Sequence, residues 1–140
     1  MCVVLDTNAV VSGLLWEGPA SVLLNAARAG HLELFTSAAL LAELSEVLPR
    51  GKFARKVQAA GLTVEQLVRR YGLLAQLVLP ADISPHIPED PDDDHVLACA
   101  LAAHAEFIVS GDSHLLSLKY FQNIQIVSAA EAMRRVEARK

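Results

Sequence analysis

Several features are scarce or absent in this 140-residue sequence, and each absence narrows the classes of protein it can be. Its two cysteines, Cys2 and Cys99, are too few for a disulfide framework or a dedicated zinc site, and they suit a reducing cytoplasm. No stretch of about 20 residues is free of charged side chains, so we expect no membrane span. The first residues reach Asp6 without a basic lead, which argues against a secretory signal. Neither a G-x-G-x-x-G nor a G-K-[ST] phosphate loop occurs.

Apolar residues, by contrast, are plentiful. Hydrophobic residues make up 53% of the chain and charged residues 20%, with a mean hydropathy of +0.34. This composition provides for a packed core and excludes intrinsic disorder. The length corresponds to about one domain, and no repeat or low-complexity linker divides it, so we expect residues 1–140 to form a single domain.

The charge is distributed unevenly. The net charge of -4 argues at first against a nucleic-acid partner. Between residues 50 and 70, however, six basic side chains accompany a single acid, Glu65, which gives a local balance of about +5. The segment is either a solvated helical face or a surface that contacts nucleic-acid phosphates. Its bases are Arg50, Lys52, Arg55, Lys56, Arg69 and Arg70.

Hydrophobic patterning predicts alternating strands and helices. The predicted strands are residues 2–5, 32–36, 107–110 and 124–127, and the predicted helices are residues 20–29, 38–48, 52–60, 63–76, 92–105, 113–118 and a last one after Ser128. Two capping boxes, Thr63 with Gln66 and Ser128 with Glu131, mark helix starts. Four prolines between residues 79 and 91 predict a loop.

This order predicts an α/β fold with a mainly parallel sheet covered by helices on both faces. In such sheets, ligands bind at the carboxyl ends of the strands. Asp6 directly follows the first strand, and Asp112 follows the strand at residues 107–110. Each has an alternative interpretation as a helix N-cap or turn residue, and N-capping does not prevent a carboxylate from also binding a metal.

Two further acidic features accompany these strand ends. Glu43 lies in a helix that is otherwise largely apolar, where the alternative is a solvated position at the edge of the apolar stripe. Residues 90–94 hold four aspartates around Pro91 at a helix start, with Asp90 as the expected N-cap. One or two acids would satisfy a helix start, and a divalent cation would relieve the repulsion among the others. Hard oxygen ligands of this kind suit Mg²⁺ or Mn²⁺.

Together these motifs resemble the PIN domain, as found in VapC-like toxins of type II toxin–antitoxin systems. Four segments carry the resemblance and span nearly the whole chain: Val4-Leu5-Asp6-Thr7-Asn8, Leu41-Ala42-Glu43-Leu44, the segment from Asp90 to Ala98, and Ile108-Val109-Ser110-Gly111-Asp112. The order and spacing of the set are specific, whereas any single motif would not be.

The resemblance implies a three-layer α/β/α fold and Mg²⁺- or Mn²⁺-dependent cleavage of RNA. It implies that Asp6, Glu43, Asp94 and Asp112 are the catalytic and metal-binding acids, supported by Asn8 and Ser110. It further implies a cytoplasmic toxin with an antitoxin protein as partner. Such toxins commonly dimerise, and Leu14, Leu15 and Trp16 suggest an apolar surface for a homodimer. With RNA as the substrate, Arg50, Lys52, Arg55 and Lys56 become the candidate RNA-binding residues.

The third acid of the set has competitors. Asp92, Asp93 and Asp94 all lie at the start of the same predicted helix, and Asp94 best fits the register of the family, with Asp93 next. His95 and His114 neighbour the proposed acids, but the five histidines show no metal-ligand spacing.

Other functional classes compete with this interpretation. A Mg²⁺-dependent phosphatase would want D-x-D after the first strand, where Asp6-Thr7-Asn8 has asparagine. A receiver domain would require paired acids near the N-terminus and a lysine at a strand end, and neither is evident in the sequence. A non-catalytic PIN-like binding module is disfavoured by the intact acidic set.

Overall fold

The computed structural model describes residues 1–81 and 91–139, with only the backbone described at residues 91–93. The predicted loop at residues 79–91 therefore falls largely outside the described residues, as do Asp90 and the side chains of Asp92 and Asp93. No helix in the described part of the chain is long and apolar enough to cross a membrane.

Strands and helices alternate along the chain as expected. The strands are β1 (Cys2–Leu5), β2 (Glu33–Thr36), β3 (Gln76–Leu77), β4 (Phe107–Val109), β5 (Tyr120–Phe121) and β6 (Ile124–Val127). The helices are α1 (Thr7–Leu15), α2 (Pro19–Arg28), α3 (Ala38–Val47), α4 (Gly51–Ala59), α5 (Val64–Leu74), α6 (Pro91–Ala102), α7 (Ser113–Leu118) and α8 (Ala129–Arg139).

Within residues 1–81 and 91–139, six strands form one sheet in the order β3-β2-β1-β4-β6-β5. All pairs are parallel except β5–β6, which is antiparallel. Val3 and Leu5 belong to the core cluster formed with α1, α2, α3, α5 and α8. Val4, between them, belongs to a second cluster formed with α6 and α7. Alternation along β1 thus fills both faces of the sheet, and the predicted three-layer α/β/α fold is confirmed.

Two helix starts were predicted from capping boxes, and the structure shows one of these boxes complete and the other in part. Thr63 and Gln66 form the predicted capping box, with each side chain bonded to the backbone N–H of the other. At Ser128 only half of the predicted box is present, because Ser128 Oγ accepts from Glu131 N while the Glu131 carboxylate binds Arg134 and Arg135.

Some sequence predictions were wrong. The helix predicted over residues 92–105 ends at Ala102, because the chain reverses at His104 (φ 52°) and Ala105 N bonds back to Ala100 O. The helix predicted to run to residue 76 ends at Leu74, and Gln76 begins β3. Helix α1 and the two-residue strands β3 and β5 had not been predicted at all.

The apolar residues suggested for a homodimer surface lie at the end of α1. Leu14, Leu15 and Trp16 are each partly buried and pack against the core. The large hydrophobic side chains that are exposed include Leu73, Leu77, Leu79 and Tyr120.

Candidate active site

The first predicted acids meet where β1 and β4 end. These two strands are parallel neighbours in the sheet, so the residues that follow them emerge at the same edge. Asp6 continues the pairing, since its N–H donates to Val109 O at 3.0 Å. Only 5% of the surface of the Asp6 residue is exposed. The first acid of the set is therefore fixed by the sheet rather than by a loop.

Both carboxylate oxygens of Asp6 accept hydrogen bonds within the protein. Ser110 Oγ donates to Oδ2 at 2.5 Å, and Ala9 N donates to Oδ1 at 2.8 Å, which makes Asp6 the N-cap of α1. Burial raises the pKa of Asp6 above its usual value of 3.8, the Ser110 and Ala9 hydrogen bonds lower it, and the negative charge of Asp112 raises it further. The catalytic and capping interpretations of Asp6 are thus compatible.

Asp112 is tied to the same network through Ser110. Its backbone N–H donates to Ser110 Oγ at 2.9 Å, so one hydroxyl connects the two acids. The Asp112 carboxylate caps α7 by accepting from His114 N at 2.7 Å and Leu115 N at 3.4 Å. The predicted N-cap is confirmed, and His114 Nδ1 lies 3.7 Å from Asp112 Oδ1.

Replacing Ser110 by alanine should therefore disturb both acids. The buried Asp6 would lose a charge-assisted hydrogen bond, and we expect the free energy of unfolding to fall by about 1.5–3 kcal/mol. The pKa of Asp6 should rise, because one of the interactions that lowers it would be gone. Urea denaturation at pH 7 measures the first effect. A Ser113→Ala variant, altering an exposed serine three residues away, provides the control. Equal stability of the two variants would contradict the assignment.

Glu43 reaches the site from α3. That helix starts at Ser37, which follows β2 and accepts from Leu40 N. The Glu43 side chain is 18% exposed, and its Oε2 lies 3.8 Å from His95 Nδ1 on α6. The predicted acid on α3 and the histidine on α6 are therefore neighbours in the fold.

A pocket of about 240 Å³ brings these groups together. Asp6, Glu43 and Asp112 all contribute to its wall, as does Asn8. Asp94, the predicted third acid, is partly buried on α6, and the pocket lining formed by the described residues does not include it. The pocket is lined by Asp6, Thr7, Asn8, Glu43, Glu46, Val47, Arg50, Phe53, Val96 and Asp112.

Sequence reasoning had missed some of these lining residues. Glu46 was recognisable, since it lies one helical turn after Glu43 on α3 and places a fourth acid in the pocket. Thr7 gave no signal beyond its position after Asp6. Its Oγ1 is buried and has no hydrogen-bond partner among the described residues. A hydroxyl in that state is available to a ligand in the pocket.

The chemistry of the pocket fits a divalent cation. Four carboxylates and a single guanidinium, that of Arg50, line it, and the donors are hard oxygens. Within the described side chains, no three His, Cys, Asp or Glu residues converge as a ready-made metal cage. Mg²⁺ needs no such cage, because it keeps several of its waters and is usually bound through one or two carboxylates.

Four of the predicted basic residues lie at or on α4, and the other two, Arg69 and Arg70, lie on α5. Arg50, at the N-terminal end of α4, belongs to the pocket wall. Lys52, Arg55 and Lys56 are exposed. The positive segment of the sequence thus reaches the acidic pocket at Arg50.

Comparison with known proteins adds the family. A sequence model of the PIN domain matches residues 2–114, which include β1, β4, α3 and every residue that lines the pocket. No curated protein and no solved structure matches the chain. PIN domains are generally nucleases that act on nucleic acid and use divalent metal ions. The match covers well over half of the sequence, and the chain belongs to the PIN domain family.

Proposed function

We propose that this protein is a Mg²⁺- or Mn²⁺-dependent endoribonuclease that hydrolyses RNA phosphodiester bonds. The observation that carries the proposal is the coupling of buried Asp6 to Asp112 through Ser110 in an acidic pocket. In the proposed site, Asp6, Glu43, Asp94 and Asp112 are the catalytic and metal-binding acids, with Asn8, Ser110 and Asp93 in support.

Each acid would have its own part. Asp6 is held by two hydrogen bonds and would be a fixed metal ligand. Asp112 is held at the start of α7 and would bind the metal or orient the attacking water. Glu43, on α3, would be the alternative group for orienting the water. Asp94 would complete the set from α6, although it does not line the pocket formed by the described residues.

A bound Mg²⁺ or Mn²⁺ would lower the pKa of the attacking water and offset the charge that develops on the phosphate oxygens. The residues of the chain itself would hold the side chains of the site in place. Ser110 keeps the Asp6 carboxylate in one orientation, and the Thr7 hydroxyl faces no competing partner among the described residues. The raised pKa of Asp6 reflects a site in which a cation would replace lost hydration.

The RNA strand would extend from the acidic pocket along α4. Arg50 is the base at the pocket wall, and Lys52, Arg55 and Lys56 follow on exposed positions of the same helix. Contacts of this kind bind phosphates without reading the bases.

We further propose that the protein is the toxin of a toxin–antitoxin pair that acts in the cytoplasm as a homodimer. The sequence motifs shared with VapC-like toxins support this role. We also propose that residues 1–140 form one PIN domain. In support, β6 pairs with β4, and α8 places Val136 in the core, although both lie beyond the matched residues. If the toxin role is correct, expression in bacteria should arrest growth and the Asp6→Asn variant should not.

Cleavage of defined RNA tests the enzymatic proposal. Purified protein is incubated with end-labelled RNA in the presence of Mn²⁺ or of a chelator, and the product ends are mapped. We expect internal cuts with Mn²⁺ that leave a 5′-phosphate and a 3′-hydroxyl, and no cuts with chelator. Cleavage that persists in chelator, or 2′,3′-cyclic phosphate ends, would contradict the proposal, because the RNA's own 2′-hydroxyl would then be the nucleophile.

A further inference from the structure

Two lysines on α4 share one aromatic partner outside the acidic pocket. Lys52 Nζ lies 5.9 Å and Lys56 Nζ 5.7 Å from the centroid of the Trp16 ring. Lys52 Nζ also lies 5.7 Å from the centroid of Phe53, and the Trp16 and Phe53 rings meet edge to face, with centroids 5.9 Å apart. The half-buried Trp16 ring is therefore within cation–π range of both ammonium groups.

Within the part of the chain that the structure describes, neither of these two positive charges forms an ion pair with a carboxylate. Among the described residues, the ion pairs of acidic side chains involve His95, His114, Arg134, Arg135 and Arg139, and neither Lys52 nor Lys56. Two like charges held close together without an ion-pair partner repel each other and create a local positive potential. An anion bound between or beside them would relieve that repulsion.

The cluster adjoins the proposed catalytic pocket through Phe53. Phe53 contacts the Trp16 ring and also lines the acidic pocket. Arg50 lines the same pocket. Lys56 lies six positions after Arg50, which corresponds to about 9 Å along α4 at 1.5 Å per residue. That separation is of the size of one or two steps along a nucleic-acid backbone.

We propose that Trp16, Lys52 and Lys56 form a subsite for a backbone phosphate of the nucleic-acid strand next to the bond that is cleaved. Lys52 and Lys56 bind the phosphate, and Trp16 is a positioning residue that holds their ammonium groups. The inference rests on the proposed function, since it takes the acidic pocket as the place of cleavage. It goes further by separating this pair from the other bases of the segment and by giving Trp16 a role.

The chain offers a specific reporter for this subsite, because Trp16 is its one tryptophan. The test titrates the full-length protein with a 12-nucleotide single-stranded RNA in chelator, so that no cleavage occurs. Trp16 emission and the anisotropy of labelled RNA are recorded together. The variants are Lys52→Gln/Lys56→Gln and, as a charge-matched control, Arg69→Gln/Arg70→Gln, which removes two exposed bases of α5.

In the wild type and in the control, RNA should produce a saturable change in Trp16 emission that follows the anisotropy. In the lysine variant, the slope of log affinity against log salt should flatten by about 0.7, since the subsite neutralises one phosphate and each neutralised phosphate contributes about 0.7 for single strands. Its affinity deficit should therefore shrink by about 2.6-fold between 50 and 200 mM salt. The proposal is overturned if the salt slope of the lysine variant is unchanged, or if the control variant shows an equal flattening of the slope. It is also overturned if the wild type binds RNA without a change in Trp16 emission, or does not bind RNA at all.

Two further arms test the role of Trp16 and the source of the phosphate. Trp16→Phe keeps an aromatic face and should retain most of the affinity that Trp16→Leu loses, with thermal unfolding confirming that both variants fold. Equal affinity of the two folded variants would remove Trp16 from the site.

Inorganic phosphate, at a concentration equal to that of the RNA phosphates, should leave the Trp16 emission of the wild type unchanged. A saturable change in emission with inorganic phosphate alone would mark a free-anion site instead. Wild-type protein that binds RNA at this subsite but cuts none with Mn²⁺ would refute the proposed function and leave the subsite standing.

Discussion

Replacing Asp6 by asparagine should lower the rate of RNA cleavage by about 10³-fold or more, because metal stabilisation of transition-state charge is worth several kcal/mol. Asparagine keeps the shape of the side chain and remains a good N-cap, so Ala9 N still has an acceptor. Ser110 Oγ can turn to accept from the new amide group. The variant should therefore fold and lose only its negative charge.

The matched control for this variant is Glu106→Gln. Glu106 is an exposed acid at the opposite end of β4, where its N–H bonds to Cys2 O and its carboxylate binds Arg139. Its replacement removes the same charge without touching the pocket. Initial rates with Mn²⁺ on one defined RNA measure both variants. Wild-type rates in a folded Asp6→Asn protein would show that Asp6 is not a catalytic metal ligand.

Without metal, the same substitution should make the protein more stable at neutral pH. Burial, the largest cause, raises the pKa of Asp6 in the folded protein above the value of 3.8 that applies in the unfolded chain. The folded state then holds the proton more tightly than the unfolded state does. The stability linked to Asp6 is therefore fully present below pH 3.8 and is lost as pH rises through the raised pKa. Asparagine has no proton to lose and escapes this loss.

Denaturation of wild type and Asp6→Asn in metal-free buffers from pH 3 to pH 8 measures this effect. The free energy of unfolding of the variant minus that of the wild type should rise with pH and then level off. Taking the difference cancels the other titrating groups, including Glu131, whose pKa is lowered by hydrogen bonds to Arg134 and Arg135. A difference that stays constant, or that falls with increasing pH, would mean that Asp6 is not destabilised by burial.

The sequence was sufficient to predict the sheet edge of this site. Asp6 and Asp112 each follow a short apolar strand, and parallel strands place the residues that follow them at one edge. Because β1 and β4 are direct neighbours, the two acids come close enough for Ser110 to join them. The hydrophobic pattern of the strands and the right-handed crossovers between them were enough to predict that both acids lie at this edge.

Other parts of the site depended on packing that a sequence pattern does not encode. Phe53 and Trp16 meet only because α4 lies against the end of α1, and no spacing in the sequence relates residue 16 to residues 52–56. Strands β3 and β5 have two residues each, too few for any periodicity. The choice among the adjacent aspartates of α6 could not be made from the sequence, since a helix start with several of them does not specify which one faces a pocket.

The most direct test of the central claim is the binding of Mn²⁺ itself, measured by isothermal titration calorimetry in the absence of RNA. The wild type and Glu106→Gln should bind the ion with the same affinity, and Asp6→Asn should bind it at least tenfold more weakly or not at all. If Asp6→Asn binds Mn²⁺ as the wild type does, the acidic pocket at the ends of β1 and β4 is not the metal site, and the proposed mechanism fails.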